Sequence, residues 1–400
     1  MKPTGPIPPA FATPGTLTIA GRSAEDWVTE HGSPLFLYDA AQVERRIATL
    51  RAALPAAVEI HFAIKANPFP PLLARVAPRV GGLDVASAGE LEKALAVKDA
   101  AHISFAGPGK RDAELEAAIR AGATLNLESE GEAARALTIA DRLGVVPRLA
   151  VRVNPSFELK GSGMKMGGRP SPFGVDAVRV PALVRQLVAA GADWRGFHIF
   201  AGSQSLDTAA IIETQAATVQ LAEQLMEEAG HQPPLINLGG GFGVPYFAGD
   251  TPVDVTAVGA ALADVIEGAT QAYAIELGRW LVAEPGVYLT RVVDRKESGG
   301  ETFLVCDGGL HHQLAATGNF GTVVRRNYPV ALARDIGSAG TEVVSVVGPL
   351  CTPLDRLADR ISLPHADVGD LIAVFLAGAY GLSASPHDFL GHPKPAEILI

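Results

Sequence analysis

Eight times between about residues 58 and 278 the chain alternates a short apolar run of β character with a longer segment of helical spacing. The β-like runs fall at 58–64, 82–86, 103–106, 124–128, 148–154, 194–200, 235–238 and 273–276. They are rich in Val, Ile, Leu and Phe, the composition of strands covered on both faces. Helical spacing occupies the intervals, for example 90–97, 112–121, 132–143, 181–190, 208–228 and 255–266. Eight β/α units in about 220 residues match the count and length of a closed (β/α)8 TIM-type barrel. A doubly wound open sheet is the alternative, but no clear dinucleotide fingerprint accompanies these units.

The pattern changes after about residue 285. Runs at 287–296, 302–306, 343–347 and 371–375 read as strands with no long helix between them. Gly299-Gly300 separates the first two and reads as a hairpin turn. The first 35 residues, with Leu17-Thr18-Ile19 and a short helical stretch, do not fit the barrel. The expected organisation is a barrel over 36–280 and an all-β domain made of 1–35 with 281–400.

Bulk properties narrow the function. A net charge of -10 argues against nucleic acid or an acidic membrane as partner. No apolar stretch approaches the length that spans a bilayer, and Met1-Lys2-Pro3-Thr4-Gly5-Pro6 lacks the apolar core of a signal peptide. Cys306 and Cys351 are the only cysteines, so neither a disulfide framework nor a cysteine zinc site is expected. The expected setting is reducing and cytoplasmic.

Barrel chemistry gathers at the C-terminal strand ends. Read in order, those ends carry Lys65, Asp84 with Ser87, Gly107, Glu128, Arg152 with Asn154, His198, Gly239-Gly240-Gly241, and Glu276 with Arg279. So many polar side chains on one rim exceed what stability requires. Lys65 closes the apolar run Ile60-His61-Phe62-Ala63-Ile64. A desolvated lysine there has a lowered pKa and forms an imine with a carbonyl compound; a lysine reaching past the strand end into water fits the same residues. Gly239-Gly240-Gly241-Phe242-Gly243 leaves backbone N–H groups open to a phosphate, or forms a tight turn. Glu276 suits a pyridinium nitrogen, or pairs with Arg279 three residues on. His198 stacks on a ring or fills core space. Taken jointly, an imine lysine, a phosphate loop and a carboxylate for a ring nitrogen specify pyridoxal 5′-phosphate.

The same residues carry a family resemblance. Phe62-Ala63-Ile64-Lys65-Ala66-Asn67, Asp84-Val85-Ala86-Ser87-Ala88-Gly89-Glu90, the glycine run, Glu276-Leu277-Gly278-Arg279, Gly348-Pro349-Leu350-Cys351 and Gly378-Ala379-Tyr380-Gly381 occur in that order. The chain thereby resembles the fold-type III (alanine racemase-like) pyridoxal-phosphate-dependent decarboxylases, the group of diaminopimelate, ornithine and arginine decarboxylases. The resemblance implies a barrel, a C-terminal β domain and a head-to-tail homodimer with shared active sites. It implies that Lys65 holds the cofactor as an imine, that His198 stacks on the pyridine ring and that Glu276 pairs with its nitrogen. Ser203, Gly240, Gly241, Arg279 and Tyr380 would take the phosphate, with Asp84 and Arg152 completing the cofactor set. Cys351 from the partner subunit would protonate the carbanion left by carbon dioxide. A racemase on the same architecture would place an arginine where Glu276 stands, and a non-catalytic pyridoxal-phosphate carrier would need neither the β domain nor Cys351.

Departures from the family bear on substrate. Members acting on diamino acids place an acid directly after the cysteine; here Cys351-Thr352-Pro353-Leu354-Asp355 offers Thr352. A hydroxyl does not replace a carboxylate as counter-ion to a buried ammonium, which leaves Asp355 as the nearby acid. In Phe197-His198-Ile199-Phe200-Ala201-Gly202-Ser203-Gln204, two more residues than usual separate the histidine from the Gly-Ser pair. Phe105-Ala106-Gly107-Pro108-Gly109-Lys110, Gly163-Met164-Lys165-Met166-Gly167-Gly168 and Gly309-Leu310-His311-His312 resemble one branch. It contains the decarboxylase of carrier-protein-bound glutamate in aminoglycoside side-chain assembly and exosortase-associated decarboxylases. The implied substrate is an amino-acyl group without a distal ammonium, such as glutamyl on an acyl-carrier protein; a free diamino acid (diaminopimelate, ornithine or lysine) is the alternative. Met164-Lys165-Met166 with Arg169, and Arg325-Arg326, form a basic mouth in that reading or are solvated loops in the other. Arg279, Arg326, Thr352 and Asp355 are the expected substrate contacts. No metal is expected, His311-His312 lacking the carboxylate spacing of a site.

Overall fold

The computed structural model describes residues 1–161, 163–165, 170–318 and 326–400. Met166, Arg169 and Arg325 of the expected basic mouth, and Gly167 and Gly168 beside them, lie outside the described residues. The chain forms two compact units, one of residues 44–243 with 253–278, the other of 1–43, 244–252 and 279–400.

The first unit is a parallel barrel. Its strands are β1 (Val58–Ala63), β2 (Gly82–Val85), β3 (Ile103–Phe105), β4 (Thr124–Leu127), β5 (Arg148–Asn154), β6 (Asp193–Ile199), β7 (Leu235–Gly240) and β8 (Ala272–Leu277). They pair in sequence order, β8 pairs β1, and the β4–β5 pairing completes the ring. Short polar caps start the helices just past the strand ends. Ser87 and Ser129 accept the N–H of Glu90 and Glu132 at 3.2 and 3.1 Å, and Asp207 accepts that of Ala210 at 3.0 Å. Each such cap is worth about 1 kcal/mol and fixes where a rim loop becomes helix. Gly122, Gly144 and Gly230 end three helices in the left-handed conformation, at φ of 81°, 64° and 73°.

Alternation along the strands buries Val58, Ile60 and Phe62 of β1, together with Ile275 and Leu277 of β8. The interleaved positions carry polar groups instead: His61, Asp84, Asn126, Glu128, Arg152, His198, Asn237 and Glu276 are all buried.

The second unit is built on one mixed sheet. Strand Gly286–Ser298 pairs with Leu371–Phe375 on one side and Glu301–Cys306 on the other. Val330–Leu332 extends one edge, and Glu342–Val347 with Arg356–Leu363 the other. Gly299 and Gly300, at φ of 59° and 78°, form the expected hairpin turn, a geometry that two consecutive positive φ values require. Leu35–Tyr38 pairs with Gly286–Ser298 and with Ala396–Leu399. Residues 36–43 therefore belong to the β unit rather than to the barrel, as does 244–252. Leu35, Leu37, Val287, Leu289, Ala373 and Phe375 form its core with Phe11 and Trp27.

Candidate active site

Lys65 stands two residues past the end of β1, in the turn Ile64–Ala66, with its side chain 47% exposed. Its Nζ lies 3.6 Å from Glu276 Oε1. Glu276 closes β8 in register with His61 and Gly240, and its side chain is only 5% exposed. His198, on the inner face of β6, brings Nε2 to 2.8 Å from Glu276 Oε2. Burial works against a charge on Glu276, but Lys65, His198 and Arg152 more than offset it and hold the carboxyl well below the usual range. The rim thus sets an amine, an imidazole and an ionised carboxylate in one cluster.

His198 meets Glu276 through its ring edge. The aromatic face beside the lysine belongs to Phe200, whose ring centroid is 5.7 Å from Lys65 Nζ. Sequence reasoning passed over Phe200 because histidine is the more chemical residue. The signal was present in the spacing: counted from Phe200, one residue precedes Gly202-Ser203, and the two-residue excess disappears.

The glycine run is held by close packing. A Cβ on Gly240 would collide with the Glu276 carbonyl, and one on Gly241, at φ +84°, with that of Gly202. Ser203 lies in a two-residue strand paired with Met164–Lys165. Ser205, nearby, bonds its N–H to the Gly241 carbonyl at 2.9 Å.

Other rim residues form a separate network. Arg152 Nη1 donates to Glu128 Oε1 at 2.8 Å, and Glu128 also accepts the N–H groups of Gly107 and Gly174 at 2.6 and 2.7 Å. Lys110 is buried against Glu132, 2.5 Å away, and also donates to the carbonyls of Gly107 and Asn126. These bonds tie together the loops after β3, β4 and β5. Asp84 faces inward, 3.5 Å from His61 Nδ1. Glu90, which the sequence reading quoted without a role, accepts the N–H of Ala86 at 2.7 Å; burial raises its pKa, against the pull of Lys65.

In the β unit, Arg279 Nη1 donates to the Tyr246 hydroxyl at 3.0 Å, and its guanidinium lies 4.6 Å from the Tyr380 ring centroid. Arg326 packs on Phe247, 3.8 Å from the ring centroid, with Asp250 at 3.9 Å. Cys351 is exposed and Thr352 half-buried. Asp355, an expected substrate contact, is 3% exposed, and its two oxygens accept the N–H groups of Leu310 and Leu350 at 2.6 and 2.9 Å. It fastens the segment before Cys351 to the Gly309–Leu310 turn. His311 and His312 are buried with rings 3.7 Å apart. Burial pushes their pKa values down to about 4 and about 3, keeping both neutral. Among the described residues no group of three His, Cys, Asp or Glu side chains is placed to hold a metal ion.

Comparison with known proteins agrees with this chemistry. Residues 40–291 match the family model described as pyridoxal-dependent decarboxylase, pyridoxal binding domain. The chain is 39% identical to the L-glutamyl-(BtrI acyl-carrier protein) decarboxylase of Niallia circulans, over 92% of this chain and 88% of that protein. It is 30% identical to the diaminopimelate decarboxylase of Aquifex aeolicus, over 96% and 91%. The crystal structure of Helicobacter pylori diaminopimelate decarboxylase complexed with L-lysine superposes with a TM-score of 0.84 at 26% identity, covering 94% of this chain and 93% of that one.

Proposed function

The chain belongs to the pyridoxal-dependent decarboxylase family, and we propose that its substrate is an amino-acyl group without a distal ammonium, such as glutamyl carried on an acyl-carrier protein. It is a pyridoxal 5′-phosphate-dependent amino-acid decarboxylase. One observation carries the substrate reading. Asp355 is the sole acid of the loop 351–355, and it is spent on the N–H groups of Leu310 and Leu350. Thr352 presents a neutral hydroxyl, which accepts the Leu354 N–H at 3.3 Å. That loop offers no counter-ion to an ammonium, whose desolvation would then go uncompensated.

The barrel residues fit the cofactor: an amine at a strand end, an aromatic face beside it, and a buried carboxylate already serving cations. When bound, pyridoxal 5′-phosphate supplies the electron sink for the pair left by departing carbon dioxide. Lys65 would hold the cofactor through its amine. Glu276, held ionised, would offer its carboxylate to the ring nitrogen, with His198 orienting it through the 2.8 Å bond. Phe200, 5.7 Å from Lys65 Nζ, would offer an aromatic face to the cofactor ring beside the expected His198. Backbone N–H groups at Gly240 and Gly241, with Ser203, take the phosphate; Arg279 and Tyr380 remain phosphate partners on the family pattern. The Cys351 thiol returns a proton to Cα.

A homodimer belongs to this reading. Exposed Cys351 is the residue that a partner's site would take in such a dimer. A reducing, cytoplasmic compartment is supported by the two widely separated cysteines. Among the described residues no helix is long and apolar enough to cross a membrane.

Intact mass spectrometry tests the proposal. Cofactor-loaded enzyme is incubated with glutamyl-loaded carrier protein and, separately, with free glutamate, diaminopimelate, ornithine and lysine. Carbon dioxide loss from the carrier alone is the expected result. Loss from a free diamino acid would overturn it and assign the ammonium contact to another residue.

A further inference from the structure

The end of the barrel opposite Lys65 is open. A cavity of about 300 Å³ enters there, lined by residues of the N-terminal halves of the strands and the turns before them. Barrels ordinarily fill this layer with branched apolar side chains. Here the lining includes His61 of β1, Ser104 of β3, Asn126 of β4, Arg148 of β5, Arg195 of β6 and Asn237 of β7.

Two guanidiniums dominate the cavity's charge. Arg148 and Arg195 are 22% and 31% exposed and share one close carboxylate, Asp193, at 4.0 and 3.5 Å. Neither contact is the short bidentate pairing that guanidinium–carboxylate bonds favour. Arg148 donates through Nη2 to the Ala101 carbonyl at 3.1 Å, and its buried Nε has no hydrogen-bond partner. Burial and the neighbouring Arg195 both disfavour its charge, against Asp193 and Asp99. Two guanidiniums that share one carboxylate keep N–H donors open to a second oxyanion.

Asn126 Nδ2 donates to Ser104 Oγ at 2.6 Å, and Asn237 Oδ1 accepts the Gly239 N–H at 2.9 Å. Glu59 lines the cavity but is engaged by His61, whose other nitrogen faces Asp84. His102 and Arg51 lie on the same side as Glu59 and act on its charge. His61 is thus shared by Glu59 and Asp84, just as Arg148 and Arg195 share Asp193.

We propose that this recess on the barrel's N-terminal face, bounded by Arg148 and Arg195, binds a small oxyanion, a phosphate or a carboxylate, at a site separate from Lys65 and Glu276. The two guanidiniums grip the anion, and the amide and hydroxyl groups of Asn126, Asn237 and Ser104 meet its polar body.

Isothermal titration calorimetry of the cofactor-saturated enzyme with inorganic phosphate and, separately, with succinate tests this. Loading the cofactor first keeps its own phosphate cradle from reporting. Saturable binding of either probe is expected, weakened at least tenfold in Arg195→Gln and again in Arg148→Gln. Arg195 is the more exposed of the pair, so its variant tests the site even where Arg148→Gln does not fold. Preference between probes assigns the ligand to the phosphoryl or the carboxylate class. No saturable binding of either probe would overturn the proposal, as would affinity unchanged in Arg195→Gln.

Discussion

His198 and Glu276 meet edge to oxygen, with 2.8 Å between Nε2 and Oε2, inside a barrel where both are buried. In the proposed function this bond gives His198 a positioning role that acts through Glu276. Glu276→Gln removes the charge while keeping the shape, and it is expected to lower kcat by roughly a hundredfold or more, the scale of losing a preorganised electrostatic partner. His198→Gln keeps a donor toward the carboxylate and is expected to cost less than about tenfold. Steady-state kinetics with the absorption spectrum of the bound cofactor separates the two. A His198→Gln enzyme as damaged as Glu276→Gln would contradict the positioning role.

Phe200 puts its ring beside Lys65, at 5.7 Å. Phe200→Ala is expected to weaken cofactor affinity by about tenfold, from a lost aromatic contact of roughly 0.5–1.5 kcal/mol with its buried area. Phe200→His restores a stacking surface and is expected to recover most of that loss. Titration of apoenzyme with pyridoxal 5′-phosphate, followed by quenching of protein fluorescence, reads both. The outcome against this assignment is full affinity in Phe200→Ala.

Lys65 and Glu276 were legible because a charged residue ending an apolar strand stands out against the strand's own pattern. Phe200 was not legible from its type, since a phenylalanine near a buried strand looks like core; its spacing to Gly202-Ser203 was the better guide. Asp355 shows a different limit. Sequence placed an acid four residues from Cys351, but only the fold shows its oxygens turned to Leu310 and Leu350. The barrel strands were readable to within two residues because apolar runs and capped helices alternate regularly. Leu35–Tyr38 escaped because a wholly buried run of four residues has no period to read. Arg356–Leu363 escaped because its charged residues and an interior Arg360 at φ 51° interrupt the β pattern.

The Cys351–Asp355 loop predicts a change of substrate. Thr352→Glu adds the carboxylate that the loop lacks, and it is expected to raise kcat/KM for a free diamino acid at least tenfold while lowering that for a neutral acyl group. Asp355→Ala takes the carboxyl acceptor from two buried N–H groups and is expected to destabilise the fold by about 2–4 kcal/mol. Competition assays and urea melts measure these separately. A diamino acid still refused by a well-folded Thr352→Glu enzyme would show that specificity lies elsewhere.

His61 gives the fold a pH dependence of definite sign. It is buried between Glu59 and Asp84, at 3.3 and 3.5 Å, and Gly82 makes the room, since a Cβ there would lie 2.7 Å from the imidazole. Burial disfavours the imidazolium, but Asp84 and Glu59 outweigh it and raise the pKa from 6.5 to about 9. A group whose pKa rises on folding stabilises fully below its unfolded value and loses that contribution as pH climbs through the folded one. The contribution, on the order of 3 kcal/mol, is therefore present at pH 6 and fades between roughly pH 6.5 and 9. Glu59 is held below its ordinary value and stays ionised across that window, so it adds no opposing slope. Urea unfolding at pH 6 and pH 9.5 is expected to show the wild-type chain losing stability that His61→Gln, already without the charge, has less of to lose. Equal pH slopes in the two proteins would mean that His61 is neutral in the folded barrel, and that the two carboxylates beside it are held by other means.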